Sequence, residues 1–145
     1  MNQNHRHNNS KSRGFSLVEV LVTMLVLSVG LLGFGSLQIN ALRNNQSAHY
    51  RSQATMLAYD VLDFMRANQS FAKMGGYDLA MNVNPPVGDS RAEQDLRHWI
   101  ATLSNQLPLG DGAIQRNGNR VTVTVQWDDS RGENPVLQFT VTTQL

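Results

Sequence analysis

The sequence predicts an α+β protein in which one very long N-terminal helix packs, by its second half alone, on a small C-terminal antiparallel sheet, with a short extra helix alongside. Three observations lead to this prediction. Residues 20–37 form an uncharged apolar run, and no Pro or Gly interrupts the helical pattern from Ser36 to Met74. The last third of the chain alternates apolar and polar residues with a period of two, which is typical of strands.

The first 37 residues divide into a basic leader and an apolar segment. Residues 1–14 are polar and carry three cations, so we expect this leader to be unstructured and to stay in the cytoplasm. A helix over Phe15–Leu37 would be about 34 Å long, enough to cross a hydrocarbon core of about 30 Å. The sequence therefore predicts a single membrane span, with the C-terminal region on the far side.

Glu19 is the one acid of the predicted span. A carboxylate in an apolar span is costly and calls for a cationic partner, yet the span contains neither Lys nor Arg. The partner must be a terminal amine, a lipid headgroup or a similar helix. Cleavage after Gly14 would free the α-amino group of Phe15 four residues before Glu19, one helical turn away. That amine would pair within its own chain or with a neighbour.

The stretch K-S-R-G-F-S-L-V-E-V-L-V, from Lys11 to Val22, closely resembles the processing site of type IV pilins and pseudopilins. In that family a membrane-embedded prepilin peptidase cuts after the Gly and N-methylates the new terminal residue. The resemblance implies a pilin-like fold, cleavage between Gly14 and Phe15, N-methylation of Phe15, and pairing of Glu19 with a neighbouring subunit's amine in a filament. The competing interpretation, an uncleaved single-pass anchor of a periplasmic binding module, explains the span but not this spacing.

A second stretch narrows the resemblance. A-L-R-N-N-Q-S-A-H-Y-R-S-Q-A-T-M-L-A-Y-D-V-L-D-F-M-R-A-N, residues 41–68, resembles the segment after the membrane helix in PilV-type minor pilins. That resemblance implies a structural subunit of the tip initiation complex of a type IV pilus, which supports adhesion or twitching motility. Implied partners are other minor and major pilins, the prepilin peptidase and the inner-membrane assembly machinery. The alternative is a minor pseudopilin of a type II secretion system.

The helix divides into a transmembrane and assembly half, 15–37, and an amphipathic half, 38–71. The apolar face of the second half recurs at steps of three and four residues and comprises Tyr50, Ala54, Leu57, Ala58, Val61 and Met65. In the first half, Gly30, Gly33 and Gly35 weaken the helix. Two explanations stay open for this cluster: close helix–helix approach in the membrane, or local unwinding in a filament, as the resemblance implies.

Residues 72–145 are expected to form the globular region, which opens with an irregular connection up to residue 89. A helix over 90–107 begins with a capping box of Ser90 and Glu93, and Trp99 belongs to its apolar stripe. Strands are expected at about 113–116, 120–127 and 137–144, with a hairpin turn at Asn117-Gly118. The amphipathic half of the long helix would cover the sheet, with the Trp99 helix at its margin.

Composition excludes several function classes. Three of the twelve cations lie in 1–14, which leaves nine cations against eleven acids and a net charge of −2, so no basic patch for nucleic acid is evident. The chain has no cysteine and none of the common hydrolase, zinc or phosphate-loop motifs, so we expect no catalytic residue, no cofactor and no metal. His98 is expected at the surface, His49 is expected to be a surface or core residue rather than a ligand, and 128–135 is expected to be a solvated loop rather than a calcium site.

Overall fold

The structure, a computed structural model, describes residues 14–130 and 132–145. It contains three helices and three strands within these residues: α1 (Leu17–Ala67), α2 (Gln69–Lys73), α3 (Arg91–Gln106), β1 (Asp111–Asn117), β2 (Arg120–Trp127) and β3 (Leu137–Gln144). The predicted α+β fold of one long N-terminal helix, a short extra helix and a small antiparallel sheet is confirmed. The leader expected at 1–14 lies outside the described residues except for Gly14.

The chain divides into two compact units, 1–42 and 43–145. In the first, α1 is helical without interruption through Gly30, Gly33 and Gly35. Its apolar side chains are exposed on every side of the helix, for example Leu25 at 66% and Leu32 at 74%. A helix that is apolar all round needs an apolar environment, because water would have to solvate this whole surface. By length and composition, α1 is able to cross a membrane.

In the second unit, α1 ends earlier than the predicted residue 71. Asn68 leaves the helical conformation, with φ −124° and ψ 50°, and the short helix α2 follows it. The Asn68 amide Nδ2 lies 3.4 Å from the Tyr77 hydroxyl oxygen and donates a hydrogen bond to it. Asn side chains that bond to nearby groups compete with helical backbone bonding, which accounts for a break that lacks Pro or Gly.

The sheet has the order β1-β2-β3, with both neighbouring pairs antiparallel. β1 is longer than predicted, and the loop that joins it to β2 is Gly118-Asn119, with Gly118 at a φ of 61°. Across β2 and β3, the polar face carries matched pairs of side chains. The hydroxyl groups of Thr122 and Thr142 form a hydrogen bond with their oxygens 3.0 Å apart, and those of Thr124 and Thr140 form one at 3.3 Å. Gln138 Nε2 donates a hydrogen bond of 2.9 Å to Gln126 Oε1.

The core lies between the apolar face of β2, the second half of α1 and α3. The apolar face predicted for α1 is buried, except for Tyr50, which is half-buried. Leu62, which was not predicted to lie on this face, is buried as well. The expectation that the Trp99 helix lies at the margin of the sheet agrees with the structure, because the strand it packs on, β1, is an edge strand. Trp99 is only 1% exposed, and α3 packs directly on β1, where the position of Gly112 leaves no room for a side chain beneath the Trp99 ring. The absence of a Cβ at Gly112 brings α3 close to the sheet.

A buried polar pair lies beside this core. The Tyr77 hydroxyl donates a hydrogen bond of 2.7 Å to Asp95 Oδ2, and Arg91 Nε lies 3.0 Å from Asp95 Oδ1. Burial, and then the hydrogen bond to Asp95, raises the pKa of Tyr77 to about 12. This pair ties the segment after α2 to the first turns of α3.

The capping box predicted for α3 is present. Ser90 Oγ accepts from the Glu93 backbone N–H, and a Glu93 carboxylate oxygen accepts from the Ser90 N–H at 3.0 Å and from the Ser90 hydroxyl at 2.6 Å. These hydrogen bonds from Ser90 lower the pKa of the Glu93 carboxyl. The helix therefore begins where the S-x-x-E pattern predicts.

The loop between β2 and β3 is less solvated at its start than we expected. Asp128 is only 5% exposed, and its carboxylate accepts hydrogen bonds from the Ser130 N–H, the Ser130 hydroxyl and the Gly132 N–H at 2.7–2.8 Å. The Asp128 N–H donates to the Pro108 carbonyl oxygen at 2.9 Å. Asp128 thus organises the loop through backbone donors, as Asp does in tight turns.

Candidate processing and assembly site

The residues predicted for processing lie at the start of α1. Gly14 and Phe15 precede the helix and are exposed, with Phe15 84% exposed. Ser16 marks the helix start, because its carbonyl oxygen accepts hydrogen bonds from the Glu19 and Val20 N–H groups at 3.0 and 3.2 Å. The Gly14–Phe15 peptide bond therefore lies outside the helical hydrogen-bond ladder, where a peptidase would reach it without unwinding α1.

Glu19 lies in the first turn of α1 and is exposed. An acid in the first turn interacts favourably with the positive end of the helix dipole, which offsets part of the cost of its charge. Its carboxylate makes no hydrogen bond or ion pair with any residue that the structure describes. The backbone carbonyl of Glu19 accepts from Thr23 Oγ1 at 2.6 Å. Within the described chain the carboxylate thus stays available for a cation from outside.

The spacing of Phe15 and Glu19 differs in one respect from a regular helical turn. Because α1 begins at Leu17, Phe15 lies before the helix while it is joined to Gly14. Its α-nitrogen is an amide in this uncut chain and carries no charge. Pairing of Glu19 with the Phe15 amine, within the chain or between neighbours, requires the cut and stays a prediction.

Comparison with known families agrees with this geometry. Residues 9–35 match the family model described as the prokaryotic N-terminal methylation motif, and the matched range includes Gly14, Phe15 and Glu19. Neither the search of curated proteins nor the search of solved structures found a match. The chain thus carries the methylation motif typical of type IV pilin-like proteins, on an α+β fold consistent with that class. The motif and the apolar helix fit a single-pass protein of the inner membrane.

Other candidate residues remain apart from this site. His98 is exposed, as predicted, and so is His49, for which both surface and core were open. The aromatic partner of His98 is Phe64, with ring centroids 6.5 Å apart. Among the described residues no group of His, Cys, Asp and Glu is arranged to hold a metal ion. Proteins with the matched motif are structural rather than enzymatic.

Sequence reasoning missed the buried Tyr77–Asp95 pair and the role of Asp128. An isolated Tyr and an Asp eighteen residues apart give no signal, since neither belongs to a motif. The S-x-x-E box at Ser90 did place Asp95 on the second turn of a helix, and the stripe that includes Leu96 and Trp99 lies on the same face. That neighbourhood is the one clue that Asp95 would be buried.

Proposed function

We propose that this chain is a minor pilin of the PilV type, a structural and assembly subunit of a type IV pilus that acts in the initiation complex at the tip. One observation carries the proposal. The Gly14-Phe15-Glu19 spacing stands at the start of a helix whose residues 20–37 carry no charge, are mostly apolar and are nearly all exposed. A membrane anchor alone would need the span but not an exposed cleavable bond and an unpaired acid at fixed distances from it.

The steps of assembly follow from this arrangement. The cationic leader stays in the cytoplasm while residues 43–145 fold in the periplasm. The prepilin peptidase cuts after Gly14 and methylates Phe15. The inner-membrane assembly machinery then moves the chain into a filament, where residues 15–37 pack against the helices of other minor and major pilins.

Charge pairing sets the position of the chain in the filament. Moving Glu19 into an apolar helix bundle is costly unless its charge meets an amine, so neighbouring helices are held at the stagger that brings the two groups together. The domain of residues 72–145, with the second half of α1, presents the surface that distinguishes this subunit from others. The filament reaches the cell surface and supports adhesion or twitching motility.

The PilV-type assignment is supported by residues 41–68, whose sequence resembles the corresponding segment of that group. In the structure most of this stretch forms the second half of α1, and its buried positions, such as Ala54 and Val61, hold the domain together. Its exposed positions, such as Asn45 and Arg51, make no contribution to the core. Folding therefore does not account for their resemblance, and these positions form either a solvated surface or a surface that contacts other subunits.

Mass spectrometry of the mature N-terminus tests the processing step. We expect the purified chain to begin with N-methylated Phe15. Gly14→Val should block the cut because a bulky side chain does not fit beside the scissile bond, whereas Gly14→Ala, the matched control, should retain part of it. An intact leader, or a cut elsewhere than before Phe15, would instead favour the uncleaved anchor of a periplasmic binding module.

The second candidate function is a minor pseudopilin of a type II secretion system. It is favoured by the same methylation motif, because pilins and pseudopilins share the processing site. Co-purification separates the two. A minor pilin is expected in the fraction of sheared surface filaments. A minor pseudopilin is expected to stay in the cell envelope and to be absent from the sheared fraction.

A further inference from the structure

The outer edge of β3 is unpaired along its whole length. β2 occupies one side of β3, and no described strand pairs with the other side. The Leu145 N–H donates to the Asn119 carbonyl oxygen, which sets the alternation of the antiparallel ladder. By that alternation, the N–H and C=O groups of four residues point away from β2: Gln138, Thr140, Thr142 and Gln144.

β3 has none of the features by which edge strands usually avoid pairing. It is eight residues long, about 27 Å, and residues 136–145 contain no charge, no Pro and no Gly. The opposite edge of the sheet is different. β1 carries Asp111 and Arg116, and Ile114 exchanges two backbone hydrogen bonds with Leu79 at 2.8 and 3.0 Å. The β1 edge is therefore interrupted by one bridge and two charged residues, whereas no described residue range pairs with the outer edge of β3.

The apolar face of the sheet is also incomplete at β3. On β2 the side chains of Val121, Val123 and Val125 are fully buried. Their cross-strand neighbours on β3, Phe139 and Val141 among them, are only half-buried although they contact the same core. A strand added beside β3 would cover this apolar row and satisfy the backbone groups in one step.

We propose that the β3 edge binds an extended, uncharged segment of a different protein as a fourth strand. The chemistry of the segment follows from the ladder already present: Thr or Gln on the polar face, as in the Thr122–Thr142 and Gln126–Gln138 pairs, and apolar side chains on the core face. A charged strand would find no opposite charge along β3. The segment is therefore neutral as well as alternating.

A second copy of this chain is a poorer occupant, and this step rests on the proposed function. Antiparallel pairing of two β3 strands needs a two-fold axis perpendicular to the sheet. Such an axis reverses every direction that lies in the plane of the sheet. The second half of α1 covers the sheet, so the residue-43 ends of the two domains would face opposite directions, whereas both ends must lead to the same membrane. Parallel pairing of the two β3 strands would require one sheet to be turned over. The polar face of one sheet would then lie on the same side as the apolar face of the other.

Site-specific photo-crosslinking in cells tests the proposal on the full-length chain. The probe is benzoylphenylalanine in place of Thr142. We expect an adduct that maps by mass spectrometry to an uncharged, alternating segment of another protein. Thr140→Pro removes one outward N–H without touching the β2 ladder, and should lower the adduct yield about tenfold. Arg116→Pro, the matched control on the β1 edge, should leave the yield unchanged.

Three results would overturn the proposal: an adduct with β3 of a second copy, an adduct insensitive to Thr140→Pro, or no adduct from a folded, membrane-inserted chain. The mature N-terminus is measured in the same sample. A chain that does not begin at Phe15 contradicts the proposed function, whatever the crosslink shows. A correct N-terminus without the expected adduct contradicts only the β3 proposal.

Discussion

The indole Nε1 of Trp99 donates a hydrogen bond of 2.9 Å to the backbone carbonyl oxygen of Leu57. Both residues are buried, so this bond joins α3 to the middle of the second half of α1 inside the core. It links residues that are 42 positions apart in sequence and explains how the two helices hold a fixed position over the sheet. Trp127, the other Trp, is equally buried, but its Nε1 has no hydrogen-bond partner among the described residues.

This difference between two buried Trp residues gives the first prediction. Trp99→Phe and Trp127→Phe remove a similar volume, but only the first removes a hydrogen bond. We expect Trp99→Phe to lower the free energy of unfolding by about 1 kcal/mol more than Trp127→Phe does. Urea denaturation of the full-length chain in detergent measures both. Equal losses would mean that the Trp99–Leu57 bond contributes nothing net.

Gly112 supplies the second prediction. A methyl group there would overlap the outer ring atoms of Trp99 and lie 2.8 Å from Leu103 Cδ1. We expect Gly112→Ala to destabilise the domain by about 1–3 kcal/mol, the usual cost of overpacking. In a Trp99→Phe background the smaller ring leaves room, so the cost should fall. A double-mutant cycle measures this coupling, and purely additive losses would place the strain elsewhere.

The periodic parts of the fold could be predicted from the sequence, because periodicity records which face of an element is buried. β2 and β3 and the buried face of α1 followed from periods of two and about 3.6. The break at Asn68 could not be predicted in this way, since it depends on Tyr77 nine residues later. The close approach of the Trp99 ring to β1 likewise depends on Gly112 of a different element, which no local pattern reveals.

The candidate site divides in the same way. Gly14, Phe15 and Glu19 could be singled out because the roles predicted for them depend on spacing along one short segment, and the methylation-motif match covers that segment. The cut and the charge pairing stay predictions. The open edge of β3 could not be identified, because it depends on which strand lies at the end of the sheet. Sequence alone predicts three strands without fixing their order.

The Tyr77 hydroxyl gives a prediction about pH. Its pKa is raised from 10.0 to about 12, so the unfolded chain loses this proton first as the pH rises. The contribution of Tyr77 to stability is therefore fully present below pH 10 and is lost as the pH rises towards about 12. We expect the difference in unfolding free energy between the parent and Tyr77→Phe to shrink over that range. A difference that stays constant across it would mean that the hydroxyl titrates alike in both states.

Glu19 gives a prediction about assembly. Glu19→Val removes the charge from an exposed first-turn position and breaks no contact that the structure describes, so membrane insertion should be intact. Incorporation into filaments should fall because the neighbour's amine loses its partner. Glu19→Gln, which keeps the size without the charge, should behave like Glu19→Val. Quantitative immunoblotting of sheared filaments against total membrane checks this, and parental incorporation of Glu19→Val would refute the charge-pairing role.

The glycines of the first half of α1 give a prediction that separates the two explanations left open for them. The helix is continuous at Gly30, Gly33 and Gly35, and a Cβ at any of them meets nothing within 4 Å. Substituting Gly33 should therefore leave the membrane-inserted chain intact. Any defect must arise when the helix meets its neighbours or changes conformation in the filament.

Ala and Ser are the matched pair for this test, because they are similar in size but differ in helix propensity. Ala favours the helix by about 1 kcal/mol over Gly, and Ser by roughly half as much. If Gly33 permits close helix approach, both substitutions should reduce incorporation to a similar extent, since both add comparable volume. If α1 unwinds at Gly33, Gly33→Ser should be tolerated better than Gly33→Ala. Incorporation of the two variants into filaments, measured side by side, decides between packing and unwinding. If both variants are incorporated as well as the parent chain, Gly33 has neither role.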